Sequence, residues 1–214
     1  MQSIETINRS IIQYKGNNLS AVQDTLAIEE PLEISLNYEK EGNYIAKNVS
    51  ITMRTPGKDA ELALGFLFTE GILSSFAQVE KFEQLSPNQI MITTKKGIAL
   101  DLSKIERHFY TSSSCGVCGK SSIAAIQTVK KNYQSQANFS ISKESILHLN
   151  EKVKAEQAIF ESTGGLHASA LFSAQGDFSY LCEDVGRHNA LDKLIGTQFL
   201  QNNLPLNKHI LFLS

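Results

Sequence analysis

Alternating apolar and polar residues predict strands in the first half of the chain. In residues 29–38, EEPLEISLNY, the apolar side chains fall on one face and the polar ones on the other, as in a half-buried strand. A turn at EGN precedes a partner strand over residues 48–55, NVSITMRT. The segments VEKFEQL, IMITT and IALDL are predicted as further short strands, separated by turns.

One segment of this strand-rich half has a different period. In PGKDAELALGFLFTEG, Pro56 and Gly57 end the preceding strand, and Asp59 lies near the start of a predicted helix. The apolar residues that follow predict a mostly buried helix that ends at Gly71.

The second half of the chain mixes helices and strands. Helices are predicted over residues 121–134, over 142–162 as one bent helix or two, and over 184–200. The last of these helices is predicted to begin with Asp184 as its N-cap. Its inward-facing residues are predicted to be Ala190, Leu191, Leu194 and Ile195. A hairpin is predicted from 166–173 and 178–183, and a buried strand from HILFLS at 209–214. This mixture indicates a layered α/β domain. Because a buried strand seldom closes such a domain, we expect the chain to be an incomplete form.

Composition and charge exclude several classes of protein. The chain has 214 residues, 42% hydrophobic and 20% charged, which is typical of a globular protein with a substantial core. A formal net charge of −2 provides no field for nucleic acid. The N-terminus has no signal-peptide core, and the run LALGFLF is too short to span a bilayer. We therefore expect a cytoplasmic protein with no membrane partner.

The candidate chemistry centres on Cys115 and Cys118 in the segment SSSCGVCGKSS. The pair lies at the predicted start of a helix and is followed by Lys120, and both features favour thiolate over thiol. A structural zinc site would need two more ligands, for which Cys182, His167 and His188 are available. A redox pair or a sulfur carrier are the other interpretations of a CxxC in a reducing compartment.

Two further segments carry candidate ligand-binding residues. In STGGLHASAL, Gly164 and Gly165 form a flexible turn before His167. Ser169 stands where a zinc deaminase would have its glutamate, so deaminase chemistry lacks its proton shuttle.

The second segment, EDVGRHNALDK, places Arg187, His188 and Asn189 in the first turn of a predicted helix, where donors suit a phosphate or another anion. A Pro-Gly turn flanked by Arg54 and Lys58 is a third candidate, as the lining of a groove.

Together these segments resemble the formate dehydrogenase accessory sulfurtransferases of the FdhD/NarQ family. The resemblance runs in order from about residue 28 to the end of the chain and rests on the five motifs EEPLEISLN, MRTPGKDAELALGFLFTEGI, SSSCGVCGKSSI, TGGLHASALF and EDVGRHNALDKLIG. It implies a cytidine-deaminase-like α/β domain at residues 109–214 and a smaller strand-rich α+β domain at residues 1–108. Family proteins are usually homodimers.

The resemblance also implies a function. Family proteins accept sulfur from a cysteine desulfurase as a persulfide on the CxxC loop and pass it to a bis-molybdopterin guanine dinucleotide cofactor, which carries molybdenum or tungsten. The sulfurated cofactor is then inserted into formate dehydrogenase. By this resemblance Cys115 is the candidate for the persulfide and Cys118 an assisting acceptor. The guanine nucleotide portion would contact Gly164, Gly165, His167, Arg187, His188 and Asn189. No metal and no permanently bound cofactor are expected. A cofactor-binding chaperone whose cysteines are incidental is the alternative.

Overall fold

The fold is taken from a computed structural model, which describes residues 5–102 and 140–214. Cys115, Cys118, the helix predicted at residues 121–134 and the predicted domain boundary at 108/109 all lie outside the described residues. Those expectations therefore stay predictions.

The first two strands form a ribbon that the hydrophobic pattern did not predict. β1 (Thr6–Lys15) and β2 (Asn18–Ala27) pair in antiparallel orientation and form a sheet of two strands. Ile11 and Ile12 are adjacent and so point to opposite faces, which removes the simple alternation that marks a half-buried strand.

A sheet of four strands forms the centre of the first half. β3 (Glu30–Lys40) pairs with β4 (Asn43–Arg54) in antiparallel and with β6 (Gln89–Thr94) in parallel orientation, and β5 (Val79–Ser86) pairs with β6. Four of the five strands predicted here are confirmed. The strand predicted at IALDL is wrong, because residues 98–102 form no ladder. Leu100 and Leu102 instead pack directly against the core.

One face of this sheet is covered by α1 (Asp59–Thr69). Pro56 and Gly57 precede this helix, and Gly71, with a φ of 70°, follows its end, as predicted. A short 3₁₀ helix at Phe76–Gln78 leads into β5. The shared core contains side chains from both layers, including Leu32, Ile34, Leu36, Leu62, Leu64, Leu67 and Ile92.

A sheet of three strands organises the second half. β7 (His167–Ser173) lies between β8 (Phe178–Asp184) and β9 (His209–Leu213), and both pairings are antiparallel. The predicted hairpin is therefore confirmed. HILFLS is a strand, but its predicted burial is wrong. β9 lies at the sheet edge, where Leu211 and Leu213 remain 43% and 55% exposed.

Helices pack on both faces of this sheet. The segment predicted as one bent helix or two is two helices, α2 (Lys143–Glu156) and α3 (Ala158–Thr163). Side chains of α2 pack on one face of β7, and α4 (Arg187–Leu200) packs on the opposite face. The described elements confirm the mixed α/β class. None of the helices in residues 5–102 and 140–214 is long and apolar enough to cross a membrane.

The two halves meet where α1 crosses α4. A Cβ atom on Gly65 would lie 1.9 Å from the Asp192 carbonyl oxygen, and one on Gly196 would lie 1.8 Å from that of Glu61. Both distances are far below van der Waals contact, so each helix backbone occupies the space where the other would carry a side chain. Glycine at both positions is therefore a condition of this packing.

We expect Gly196→Ala to destabilise the fold by about 3 kcal/mol or more, because the added methyl group forces two backbones apart. The measurement is urea unfolding followed by circular dichroism. Gly165→Ala is the matched control, since the nearest atom to its Cβ is the Thr163 carbonyl oxygen at 3.9 Å. Equal unfolding midpoints for Gly196→Ala and wild type would contradict the close crossing.

Asp192, on the same helix face, makes stability depend on pH. Burial raises the pKa of this carboxyl from 3.8 to about 7; the hydrogen bond from Thr69 opposes this shift, and the negative charge of Glu70 adds to it. The folded protein therefore keeps a proton that the unfolded chain loses, so stability falls as the pH rises from about 4 to about 7. We expect Asp192→Asn to flatten this profile and to raise the free energy of unfolding at pH 8 by roughly 1–2 kcal/mol. Urea titrations at pH 5, 6, 7 and 8 test this; a parallel profile in the variant would refute it.

Candidate functional site

The structure brings six of the eight predicted site residues to one end of the three-stranded sheet. His167 opens β7 and pairs with Asp184, the last residue of β8. Gly164 and Gly165 immediately precede β7, and Arg187, His188 and Asn189 begin α4 after a turn of two residues. The strand pairing thus joins two segments that are 20 residues apart in sequence. The other two predicted residues, Cys115 and Cys118, are not described.

The glycine turn is held in place by a carboxylate from β8. Gly164 ends α3 with a φ of 67°, a conformation that favours glycine. At the other end of α3, Glu183 accepts hydrogen bonds from the backbone N–H groups of Ile159 (3.2 Å) and Phe160 (2.8 Å). Burial raises the pKa of Glu183, and these two hydrogen bonds oppose that shift. Glu183 thereby fixes the helix that leads to the turn.

His167 has a defined orientation at the start of β7. Its Nδ1 lies 3.1 Å from the carbonyl oxygen of Ser214, which only accepts hydrogen bonds, so Nδ1 carries the hydrogen. In the neutral ring Nε2 is then the unprotonated nitrogen. The same end of the strand is tied down by a hydrogen bond from Ala168 N–H to the Ser214 hydroxyl.

The start of α4 carries no side-chain cap. Its N-cap residue is Gly186, and no side chain in that position accepts a hydrogen bond from the first turn. The prediction that Asp184 is the N-cap is wrong, because this residue ends β8 and its carboxylate points into the protein. Arg187 and His188 are exposed beside the positive end of the helix dipole. This helix start is therefore suited to an anionic group.

Asp184 is the centre of a buried hydrogen-bond network and is 0% exposed. Its Oδ1 accepts from Gly186 N–H (2.8 Å) and from the Asn189 side chain (3.0 Å). Its Oδ2 accepts from Thr55 N–H (3.1 Å) and lies 2.7 Å from Nζ of Lys193, which is itself buried. All four contacts are within hydrogen-bonding distance, as a buried carboxylate requires.

Asn189 belongs to this network and does not face outward. Its side-chain amide also donates to the Met53 carbonyl oxygen (2.7 Å), and its Oδ1 accepts from the Thr52 hydroxyl (3.1 Å). The side chain thus connects β4, β8 and α4 in the interior. Sequence reasoning grouped Asn189 with Arg187 and His188 because it is their neighbour, but a helix turns by about 100° per residue and separates adjacent side chains.

The Pro-Gly turn, which the sequence left open as a possible groove lining, borders an open cleft. The cleft measures about 520 Å³ and also contains Glu30, Asp59 and Gln84 in its wall. Arg54 is 1% exposed, and its guanidinium is paired with both oxygens of Asp59 at 3.0 Å. Arg54 thus serves the wall of the cleft and is not available to a ligand.

Lys58 connects this turn to β8. It has a φ of 55°, which is rare for a residue other than glycine. Its ammonium donates to the Tyr180 hydroxyl (2.9 Å) and lies 3.6 Å from Sγ of Cys182. Burial raises the pKa of the Cys182 thiol, while Lys58 and Lys193 oppose the shift. Cys182 is 2% exposed, so we assign it to the core and not to sulfur chemistry.

No metal centre is formed by the part of the chain that the structure describes. In residues 5–102 and 140–214, no three His, Cys, Asp or Glu side chains are grouped in a way that would hold a metal ion. His167, His188 and Cys182, the possible additional zinc ligands, are thus not gathered into such a group.

The ion pair between Asp184 and Lys193 was not predicted from the sequence, although one feature of the sequence indicated it. Of the predicted inward-facing residues, Ala190 and Leu194 are fully buried, and Lys193 lies on the same stripe at 3% exposure. A lysine on the apolar face of a helix indicates a buried carboxylate partner.

Comparison with known proteins places this arrangement in one protein family. Residues 27–214 match the model of the FdhD/NarQ family, which is more than half of the chain. The chain belongs to the FdhD/NarQ family.

Relatives from several organisms support the assignment. The chain is 37% identical to the "Sulfur carrier protein FdhD" of Streptomyces avermitilis, covering 98% of this chain and 75% of the relative. It is 39% identical to the protein of the same name from Sulfolobus acidocaldarius, over 95% and 74%. A solved structure described as a formate dehydrogenase accessory protein from Desulfotalea psychrophila has the same fold, with a TM-score of 0.64 at 18% identity, over 98% of this chain and 72% of that one.

We expect Gly186→Ala to disturb the start of α4. A Cβ atom at this position would lie 2.8 Å from the Asn189 amide nitrogen, so the amide must leave Asp184 or the helix start must shift. The expected cost in urea unfolding is about 1–3 kcal/mol. Gly165→Ala is again the control, and equal stability of the two variants would contradict the tight packing around Asn189.

Proposed function

We propose that this chain is a sulfur carrier with sulfurtransferase activity. It accepts sulfur from a cysteine desulfurase as a persulfide on Cys115, with Cys118 as the assisting acceptor. It then transfers this sulfur to the bis-molybdopterin guanine dinucleotide cofactor, which is its substrate, before that cofactor enters formate dehydrogenase. The observation that carries the proposal is family membership over residues 27–214, a range that includes the CGVCG motif.

The chemistry of the motif supports the sulfur step. Sulfur transfer between cysteines needs an accessible thiolate that attacks a sulfane sulfur and later releases it. The sequence gives Cys115 and Cys118 small neighbours and a lysine at position 120. Of the three cysteines in the chain, Cys182 is buried and has a raised pKa, which leaves the CxxC pair as the carrier candidates.

The described end of the three-stranded sheet supports a role in holding the cofactor. Arg187 and His188 offer cationic or donor groups next to an uncapped helix start, and the His167 ring lies at the same end. The turn at Gly164 and Gly165 leaves backbone open to close approach. We propose that these residues contact the phosphates or the guanine of the nucleotide portion. Asn189 supports them from the interior, through its hydrogen bonds to Asp184 and to the Met53 carbonyl oxygen.

The proposal extends to the setting of the reaction. We place the protein in the cytoplasm as a homodimer that meets a cysteine desulfurase and formate dehydrogenase in turn. The deaminase-like layering of residues 109–214 is part of the same proposal.

We expect Cys115→Ala to abolish sulfur loading. The wild-type protein, incubated with a cysteine desulfurase and cysteine, should gain roughly 32 Da, the mass of one sulfur atom, at Cys115. Peptide mass spectrometry locates the added sulfur. Cys182→Ala is the matched control, because it removes a thiol of the same chain that lies in the core. Loading and formate dehydrogenase activation that both survive in Cys115→Ala would overturn the assignment.

The double variant Cys115→Ala/Cys118→Ala separates the carrier from a chaperone. A carrier loses formate dehydrogenase activation in this variant, whereas a cofactor-binding chaperone with incidental cysteines retains it. Binding of guanosine diphosphate should persist in the double variant under both interpretations, because the nucleotide contacts lie on other residues.

A further inference from the structure

The Asp184–Lys193 ion pair has a role beyond holding the fold together. We infer that these two residues are positioning residues for the nucleotide-contacting turn, residues 185–188. Neither touches the nucleotide, but together they fix the place and direction of Arg187 and His188. The inference rests on the proposed function, because it assumes that this turn contacts the nucleotide portion of the cofactor.

The ion pair acts directly on the backbone that precedes Arg187. Oδ1 of Asp184 accepts from Gly186 N–H at 2.8 Å, so the carboxylate determines where the helix begins. One turn into α4, the Asn189 amide donates to the same oxygen, and a turn later Lys193 reaches the other oxygen. The turn and the first two turns of the helix are thus held to one carboxylate.

The same pair also holds Thr55, which follows β4 and precedes the Pro-Gly turn. Thr55 donates its backbone N–H to Asp184 at 3.1 Å and accepts from Lys193 Nζ at its carbonyl oxygen at 2.7 Å. Its hydroxyl accepts from Val185 N–H at 3.2 Å. All three polar groups of Thr55 are therefore engaged, which fixes the turn that carries Lys58 relative to the turn that carries Arg187.

Stability alone is a weak reason for an ion pair at this position. Two charges with 0% and 3% exposure pay a large desolvation penalty, and an apolar pair of similar volume is often as stable or more so. An apolar pair has no directional contacts with Gly186 N–H, Thr55 N–H and the Thr55 carbonyl oxygen. The ion pair provides those contacts, and they determine the geometry of the backbone immediately before Arg187 and His188.

The test uses the full chain and the variants Lys193→Met, Asp184→Asn and their combination. The double variant leaves no unpaired buried charge and serves as the folded reference if a single variant does not fold. Lys152→Met is the matched control, because Lys152 also donates to a backbone carbonyl, that of Gly176, on the other face of the sheet. The readouts are guanosine diphosphate affinity by calorimetry, amide hydrogen exchange and urea unfolding.

We expect the double variant to bind guanosine diphosphate about tenfold more weakly or worse, because small misplacements of binding groups are costly. Exchange at Val185 and Gly186 should accelerate, while amides in α1 keep their protection. The loss of guanosine diphosphate affinity in the double variant should not exceed the larger of the two single-variant losses, since both residues belong to one network. Lys152→Met should match wild type in affinity.

Unchanged affinity in a folded double variant would overturn the inference, whether or not exchange accelerates. Unchanged exchange at Val185 and Gly186 would also overturn it. Absence of guanosine diphosphate binding by the wild-type protein would refute the proposed nucleotide contact, and the exchange data would then decide separately whether the pair holds the turn.

Discussion

The close crossing of α1 and α4 is the constraint on which the rest of the structure depends. α1 covers the four-stranded sheet and α4 covers the three-stranded sheet, so this helix pair is the main joint between the two. Gly65 and Gly196 let the two backbones touch without intervening side chains. Two helices in such close contact cannot slide past each other easily, because their backbones are packed directly together. The relative position of the two sheets therefore depends on two glycines, Gly65 and Gly196, which have no side chain to keep the helices apart.

The site depends on this joint because α4 takes part in both. Its middle forms the crossing at Gly196, and its first turns carry Arg187, Asn189 and Lys193. The polar network around Asp184 lies where β4 ends, β8 ends and α4 begins. The crossing sets the distance between these ends, and the network then fixes their register. Apolar packing alone is non-directional and would leave the turns free to shift.

Features that depend on residues close together in the sequence could be predicted, and features that depend on contacts between distant residues could not. β3, α1 and the β7–β8 hairpin were predictable because period, turn residues and caps act within a few positions. The site segments were also recognisable, since their donors and glycines lie close together in sequence. The role of Asp184 was not, because its partner Thr55 is 129 residues away and only the fold brings them together. β9 was misjudged for a similar reason: an apolar run indicates a strand but not whether a second strand covers it.

The proposed function places two mechanical requirements on this chain. Under the proposed function, holding a nucleotide needs groups whose positions do not relax, and the hydrogen bonds of Glu183, Asp184 and His167 hold the end of the three-stranded sheet in place. Passing sulfur from a cysteine desulfurase to the cofactor, as proposed, needs thiols that can approach each in turn, and the sequence surrounds Cys115 and Cys118 with small residues and glycines. Under the proposed function, the buried charges around Asp184 and the small residues of the CxxC segment meet these two requirements in separate parts of the chain.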